Sequence, residues 1–400
     1  MDVIFRYLLL IRSAAWPGAQ SIARPTARHF LVSAVLLAGL PLLLLYHALG
    51  FLLDEVLFRG YRRVEIEQPL FVLGPPRSGT TSVHEALADD ERYTTFSTWE
   101  CLFGLSVSWR RLWRGVGRVD GWLGRPLGRL ADAATRHLAG GLEATHPLRL
   151  AAPEEDYFAF LPLLWCFLLV VPFPDAPWLW RWGRFDAALS PREKRRLMAA
   201  YRRAVQRHLY AHPGKRYLAK NAAFAPLAHT LLQAFPDARV VCCLRTPEAA
   251  LSSQLSCLHP SLRALHGDYR RQRFARRMTG LYGFYYRNLL DALGALEGPA
   301  RQRAVFLPLP ALAELERAVA DIYRGLGLTL TPELRQRLAF RAQRMRHWRS
   351  AHRHDPASLP VPAELLQRAF EGLRARFDFE GDRVLAPCEP RDDLARVAGL

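Results

Sequence analysis

A glycine-bearing loop between an apolar run and a helix-like stretch constrains this chain more than any other feature. The apolar run covers residues 69–73, the helix-like stretch covers residues 81–88, and the loop between them, residues 74–81, reads GPPRSGTT. Glycines let backbone N–H groups approach an anion closely, and the N-terminus of the next helix adds a positive dipole end. This order of elements predicts a phosphate-binding site.

The residue after the second glycine separates two kinds of phosphate chemistry. Nucleotide kinases and NTPases carry a lysine there, whereas this chain has Thr80 and places its cation inside the loop as Arg77. Without that lysine, the loop lacks the group that stabilises the β- and γ-phosphates during phosphoryl transfer. We therefore expect an anion other than the triphosphate of ATP, and keep a P-loop nucleotide kinase or NTPase as the competing enzyme class.

Short apolar runs alternate with helix-like segments along the middle of the chain. Residues 239–244 form a second apolar run, preceded by a helix-like segment at residues 226–235. Such runs are typical of parallel strands that are covered on both faces. Beyond residue 309 the apolar spacing becomes helical. The predicted fold is α/β: a P-loop-type parallel sheet with helices on both faces, a helical C-terminal region and an N-terminal membrane-associated helix.

Four segments resemble the sulfotransferases that use 3′-phosphoadenosine-5′-phosphosulfate (PAPS). Residues 76–81 resemble the 5′-phosphosulfate loop in its arginine-bearing form, as in tyrosylprotein sulfotransferases and a broad bacterial family. Residues 238–247, with Ser253 downstream, resemble the 3′-phosphate motif. Residues 220–224 (KNAAF) and 153–156 (PEED) resemble two further family segments, although the first lacks the family's proline. The resemblance covers about residues 65–255.

The resemblance implies a role for each matching residue. Arg245 and Ser253 would hold the 3′-phosphate of PAPS, with Ser252 as the alternative to Ser253. Arg77 and Lys220 would neutralise charge on the bridging oxygen as the S–O bond breaks, because preorganised charge is most effective there. The 5′-phosphosulfate would be held by the loop residues Arg77, Ser78, Gly79, Thr80 and Thr81.

The acceptor hydroxyl must lose a proton as it attacks sulfur, so the reaction needs a general base. Glu100 is the predicted base, because it follows the first helix at a distance along the chain similar to that of the catalytic glutamate in tyrosylprotein and heparan sulfotransferases. His84, on the helix that leaves the loop, and Glu155 are the alternatives. The other interpretation of Glu100 is an exposed loop residue.

Residues 30–53 carry no charged side chain and would form roughly 36 Å of helix, enough to cross a hydrocarbon core of about 30 Å. We expect residues 1–60 to form a membrane-associated segment and residues 61–400 the sulfotransferase domain. Arginines flank the run on both sides, so orientation is not specified. The run could span with its N-terminus outside, or dip into the membrane and return at Pro41, and we favour the second arrangement. A second apolar stretch, residues 157–180, is broken by Pro162, Pro172, Pro174 and Asp175 and should not span.

Charge and cysteine content limit the classes of ligand and partner that this chain is expected to bind. The chain has 55 Lys and Arg against 37 Asp and Glu, a net charge of +18, which suits anionic lipid, nucleic acid or a phosphorylated small molecule. No nucleic-acid motif supports a basic binding protein without catalytic activity, so we expect no nucleic-acid partner. The six cysteines lack zinc spacing, and no metal is expected.

The scarcity of lysine favours a GC-rich bacterial source. PAPS is made in the cytoplasm of bacteria, so we expect a membrane-associated enzyme on the cytoplasmic face that sulfates a lipid, a quinol or another amphiphilic alcohol. A eukaryotic source would instead suggest the Golgi membrane.

Overall fold

A parallel sheet positions the other elements of the chain. The computed structural model describes residues 3–130, 133, 150–345 and 359–386. Within these ranges there are five strands in the order β2-β3-β1-β4-β5, and every pairing between neighbours is parallel. The strands are β1 (Leu70–Leu73), β2 (Tyr93–Thr94), β3 (Arg216–Lys220), β4 (Arg239–Leu244) and β5 (Ala304–Pro308).

Alternate residues of each central strand enter two different apolar layers. In β1, Phe71 and Leu73 pack into the larger core, while Leu70 and Val72 pack into the smaller one. All four are fully buried. This alternation is the geometry of a strand that is covered on both faces. The predicted fold class, an α/β parallel sheet between helical layers, is confirmed.

Helices surround the sheet. The α-helices are Val3–Ala15, Ala27–Leu57, Thr80–Leu87, Thr98–Phe103, Val107–Trp122, Pro177–Trp182, Phe185–Ala188, Pro191–Tyr210, Ala228–Ala234, Pro247–His266, Arg271–Gly294, Leu315–Gly325, Pro332–Met345, Ala363–Phe370 and Leu373–Arg376. The 3-10 helices are Arg59–Arg63, Asp156–Leu163, Phe167–Val170, Ala222–Leu227, Gly298–Arg303 and Leu309–Glu314. The predicted strands β1 and β4 and the helix between residues 81 and 88 are confirmed, whereas β2, β3 and β5 are not among the predicted strands.

The N-terminal apolar run forms one continuous helix, Ala27–Leu57, which we call the apolar helix. By length and composition it is the one helix in the described ranges that could cross a membrane, which is weak evidence for membrane association. The break expected at Pro41 is wrong. Pro41 cannot donate a hydrogen bond to the carbonyl of Leu37, but the Tyr7 hydroxyl donates to that oxygen at 2.7 Å and satisfies it.

The second apolar stretch, residues 157–180, does not form a spanning helix. It folds into two 3-10 helices and the start of the helix Pro177–Trp182. Most of its large side chains, among them Phe160, Leu164 and Trp165, belong to the larger core. Its hydrophobicity therefore reflects burial inside the protein.

Asp54 joins the end of the apolar helix to two other helices. Its carboxylate accepts hydrogen bonds from the backbone N–H groups of Val107 and Ser108 at 2.9 and 2.8 Å, at the start of the helix Val107–Trp122. It also pairs with Arg207 Nε at 2.8 Å, and the side chains of Arg207 and Asp54 are 7% and 0% exposed. Removing one partner of a buried ion pair leaves an uncompensated charge.

Asp54→Ala should therefore lower the free energy of unfolding by about 3–5 kcal/mol, the usual effect of breaking a buried ion pair from one side. Urea denaturation in detergent would measure it. The matched control is Glu65→Ala, because Glu65 is an exposed carboxylate and its loss should change stability by less than about 0.5 kcal/mol. Equal losses for the two variants would contradict this role of Asp54.

Candidate active site

The loop at residues 74–81 leaves β1 close to the neighbouring strand β4. A Cβ atom at Gly74 would lie 2.3 Å from the carbonyl oxygen of Cys243, so only glycine fits between the two strands. Further along, Arg77 has φ 71° and Gly79 has φ 87°. A left-handed backbone is uncommon at a residue other than glycine, and such conformations in loops turn N–H groups into an anion-binding concavity.

Three of the predicted donor-binding residues meet beside this loop. Arg77 Nε donates to Ser253 Oγ at 3.1 Å, and Arg245 Nη1 donates to the carbonyl of Arg77 at 3.4 Å. Arg245 follows β4, and Ser253 lies in the second turn of the helix Pro247–His266. Burial lowers the pKa of Arg245, and the charge of Arg77 adds to this effect. The two guanidinium groups carry like charges at the same sheet edge, so a bound anion would relieve the repulsion between them.

Two tyrosines from the helix Arg271–Gly294 hold this arrangement from behind, and the sequence analysis missed both. The Tyr282 hydroxyl donates to the carbonyl of Pro76 at 3.1 Å, and the Tyr286 hydroxyl donates to the carbonyl of Arg245 at 2.5 Å. Both side chains are fully buried. Their spacing of four residues on one helix face was the available signal, although it is also that of ordinary core residues.

Lys220 lies at the end of β3, which pairs with β1, so its side chain starts near the loop. Its ammonium group donates a short hydrogen bond to Glu155 Oε1. The next residue, Asp156, accepts hydrogen bonds from the hydroxyls of Tyr201 and Tyr217 and from Asn221 Nδ2 at 2.7 Å. Burial raises the pKa of Asp156 to about 6. Asp156 thus fixes the acidic segment beside Lys220.

Glu100 is not the exposed loop residue of the alternative interpretation. It lies in the first turn of the helix Thr98–Phe103 and is 4% exposed. Its Oε2 accepts hydrogen bonds from the backbone N–H and hydroxyl of Ser97 at 3.1 and 2.9 Å. Its Oε1 lies 3.3 Å from Arg110 Nε and 3.6 Å from Arg114 Nη2. Both carboxylate oxygens therefore have partners inside the protein.

Glu100 also belongs to the one grouping of potential metal ligands found in the described residues. Ligand atoms of Glu100, His208 and His212 lie within 4.8 Å of one another. The guanidinium groups of Arg110 and Arg114 lie close to the same carboxylate. Their positive charges would repel a metal ion at this position. The donor atoms thus have metal-like spacing but an unfavourable charge environment.

His84, the other alternative base, is buried on the helix Thr80–Leu87. Its Nε2 lies 2.8 Å from the hydroxyl oxygen of Thr95. Burial, together with the charge of Lys220, lowers the pKa of His84 to about 3. An imidazole with so low a pKa accepts a proton poorly at neutral pH, so burial beside Lys220 disfavours His84 as the base.

The fold and the loop define an α/β protein with a glycine-bearing loop and two arginines at the carboxyl edge of a parallel sheet. The chain belongs to the sulfotransferase family, whose model matches residues 69–332, and is an enzyme of that class. It is 26% identical over 291 residues, 68% of this chain and 67% of the relative, to the omega-hydroxy-beta-dihydromenaquinone-9 sulfotransferase Stf3 of Mycobacterium bovis and of Mycobacterium tuberculosis.

Two crystal structures share the fold. Sulfotransferase STF9 from Mycobacterium avium has a TM-score of 0.74 at 18% identity, covering 96% of this chain and 93% of its own. Sulfotransferase STF1 from Mycobacterium tuberculosis H37Rv has a TM-score of 0.70 at 20% identity, covering 92% of both chains. The predicted membership of a bacterial sulfotransferase family is confirmed.

Gly74→Ala should destabilise the protein by about 1–3 kcal/mol, because the methyl group forces β1 and β4 apart at the start of the loop. The matched control is Gly18→Ala, since a Cβ there meets nothing within 4 Å. Thermal unfolding of both variants would measure the difference. A loss in the Gly74 variant no larger than that in the control would show that the close approach of the two strands does not constrain residue 74.

Proposed function

We propose that this sulfotransferase moves a sulfuryl group from PAPS to a hydroxyl of a lipidic or amphiphilic acceptor at the cytoplasmic face of a membrane. The convergence of Arg77, Arg245 and Ser253 at one sheet edge carries the proposal. The three residues come from two separate strand ends and one helix, and no carboxylate pairs with Arg77 within the described part of the chain. The arrangement is suited to a ligand with phosphate groups at two positions.

Each donor-binding residue has a role in this proposal. Arg245 and Ser253 bind the 3′-phosphate, where the guanidinium fork gives bidentate hydrogen bonds. Backbone and side-chain donors of the loop residues Arg77, Ser78, Gly79, Thr80 and Thr81 bind the 5′-phosphosulfate. Thr80 in place of the kinase lysine supports PAPS over ATP as the donor. No metal is required, because Arg77 and Lys220 supply the positive charge.

In the proposed reaction the acceptor oxygen attacks sulfur, its proton passes to a carboxylate, and the S–O bond to the 5′-phosphate breaks. Lys220 stabilises the negative charge that develops on the leaving oxygen. The contacts of Glu155 support it as the base, because it is partly exposed and paired with Lys220. When the donor binds, its negative charge would attract Lys220 away from Glu155. The freed Glu155 carboxylate could then accept the proton of the acceptor hydroxyl. Glu100, the base predicted from the sequence, is the alternative, and its two oxygens would first have to leave Ser97 and Arg110.

The acceptor class rests on two observations. The relative Stf3 is named for a menaquinone-derived acceptor, a lipid with a hydroxyl group. The chain also carries a long apolar helix near its N-terminus. We propose that residues 1–60 attach the sulfotransferase domain, residues 61–400, to a membrane with anionic lipid. Because bacteria make PAPS in the cytoplasm, the domain would face that side.

Arg245→Ala should weaken binding of 3′-phosphoadenosine-5′-phosphate by about tenfold or more, the usual effect of losing charge-assisted hydrogen bonds. Affinity for adenosine-5′-phosphosulfate, which has no 3′-phosphate, should hardly change. Isothermal calorimetry with both ligands measures this, and Arg335→Ala, at an exposed arginine of the helix Pro332–Met345, is the control. Equal losses for both ligands would place Arg245 away from the 3′-phosphate.

Glu155→Gln should lower kcat by about 10²-fold or more while donor binding stays within a few-fold of wild type, because amides cannot accept the proton. Glu100→Gln is its matched comparison and should mainly reduce stability, since Glu100 pairs with Ser97 and Arg110. Turnover with sulfur-labelled PAPS and a membrane lipid extract measures both. A folded Glu100 variant with the larger loss in kcat would assign the base to Glu100.

A further inference from the structure

The outward surface of the apolar helix is an apolar stripe. Its large members are 46% to 70% exposed: Leu31, Val35, Leu42, Leu45, Leu49 and Leu52. They recur every three or four residues except between Val35 and Leu42, where the small residues Ala38 and Gly39 are exposed. At 1.5 Å per residue the stripe is roughly 32 Å long. No charged side chain of the helix lies between its ends on this surface. A helix of a water-soluble protein normally has the opposite polarity, with its apolar stripe facing the core.

The inward surface of the same helix carries polar side chains among its apolar ones and is fixed at both ends. Near the start, His29 Nδ1 lies 3.1 Å from His266 Nδ1, and His29 Nε2 lies 3.0 Å from the carbonyl oxygen of Ala14. Near the end, Asp54 binds the start of Val107–Trp122 and Arg207. His47 and Ser33, between these contacts, are also buried. The helix is therefore bound along its length to the protein, with polar contacts at both ends.

These contacts limit the orientation that the helix can take relative to a membrane. His29 and Asp54 are roughly 38 Å apart along the helix, further than the hydrocarbon core of about 30 Å. If the helix crossed the bilayer, His266 and Arg207 would lie on opposite sides of it. Both residues belong to helices whose apolar side chains enter the larger core, which also contains side chains of the sheet. The intact structure is therefore compatible with a helix that lies in the plane of one leaflet and incompatible with one that spans.

Two helices that contact the apolar helix also expose large apolar side chains. Val3–Ala15 contacts the apolar helix through Tyr7 and exposes Ile4, Phe5 and Leu8. Val107–Trp122 contacts it through Trp109, whose ring stacks on Tyr46 at 4.8 Å between centroids. This second neighbour exposes Leu112, Trp113, Val119 and Trp122. Exposed apolar patches of this extent mark sites of interaction.

The charges around this surface favour lipid over a second copy of the chain. Exposed arginines lie near both ends of the apolar helix, with Arg28 at its start and Arg59 and Arg63 after its end. Parallel or antiparallel pairing of two copies would bring arginines against arginines. Anionic headgroups would instead complement both ends.

We propose that this protein is monotopic: the outward faces of the three helices enter one leaflet of an anionic membrane, while its polar contacts hold the apolar helix against the catalytic domain. The proposal rests on the proposed function in one respect: a lipidic acceptor would explain why the enzyme binds a membrane. Tryptophan and leucine on such a face, with arginines at its margins, are typical of helices that lie in a membrane interface.

Topology distinguishes the monotopic arrangement from a span. The full chain, with an epitope tag at its N-terminus, is expressed in a bacterial host and exposed to protease. We expect the tag and the catalytic domain to be digested together in inverted inner-membrane vesicles and protected together in spheroplasts. A tag that is digested from outside spheroplasts while the domain is protected overturns the proposal, and so does a protein absent from the membrane fraction.

Flotation tests the surface itself. Leu45→Glu combined with Leu49→Glu should reduce binding to phosphatidylcholine vesicles containing phosphatidylglycerol by about tenfold or more. Phe340→Glu is the control, because Phe340 is also exposed but lies on the helix Pro332–Met345. Circular dichroism verifies that both variants fold. Equal binding of the two variants, or a wild-type dimer that the double variant converts to monomer without loss of vesicle binding, overturns the proposal.

Calorimetry with 3′-phosphoadenosine-5′-phosphate separates this inference from the proposed function. The double variant should bind the nucleotide as the wild type does, because neither leucine is among the residues that would hold the donor. A wild-type protein that binds vesicles but not the nucleotide would defeat the proposed function and still support the membrane surface. If the wild-type protein binds the nucleotide normally but does not bind vesicles, the proposed membrane surface is wrong and the proposed function is unaffected.

Discussion

The parallel pairing of β1 with β3 on one side and β4 on the other is the constraint on which the site depends. Because the three strands run in the same direction, they deliver the loop at residues 74–81, Lys220 and Arg245 to one edge. Neighbouring strands are about 4.8 Å apart, so the ends of these three strands bring the cationic side chains close together. Buried tyrosine hydroxyls hold the backbone of Pro76 and Arg245 behind them. The fold thus maintains a concentration of positive charge that the proposed donor would neutralise.

Sequence reasoning succeeded where the signal was local. The loop, strands β1 and β4 and the first helix follow from glycine placement and short apolar runs, and family resemblance named Arg77, Arg245 and Ser253 as partners. It failed where the deciding contact was remote in the chain. Pro41 was expected to break a helix, but Tyr7 satisfies the carbonyl that proline leaves free. The buried network around Glu100 requires Arg110 and Arg114 from another helix, which no local pattern reveals. The roles of the predicted site residues in binding and catalysis stay predictions.

The apolar helix shows why hydropathy alone could not define the membrane association. Length and composition predict a helix able to span, and the observed helix has both properties. The direction in which each side chain points is set by tertiary contacts, and these turn His29, His47 and Asp54 toward the protein. In the sequence, those three polar residues are what indicates the side of the helix that faces the protein. His47 by itself does not indicate this, because it is a single polar residue within an apolar run. A membrane surface made in this way would bring a lipidic acceptor and a water-soluble donor to one protein without dividing the site across the bilayer.

Sulfuryl transfer from PAPS is the claim from which the remaining proposals follow, and a labelling experiment tests it most directly. Purified protein would be incubated with sulfur-labelled PAPS and a bacterial membrane lipid extract, and in parallel with γ-phosphate-labelled ATP. The account predicts a labelled lipid from PAPS and none from ATP, with the labelled product identified by mass spectrometry as a sulfate ester. Label transferred from ATP to lipid, with none from PAPS, would contradict it.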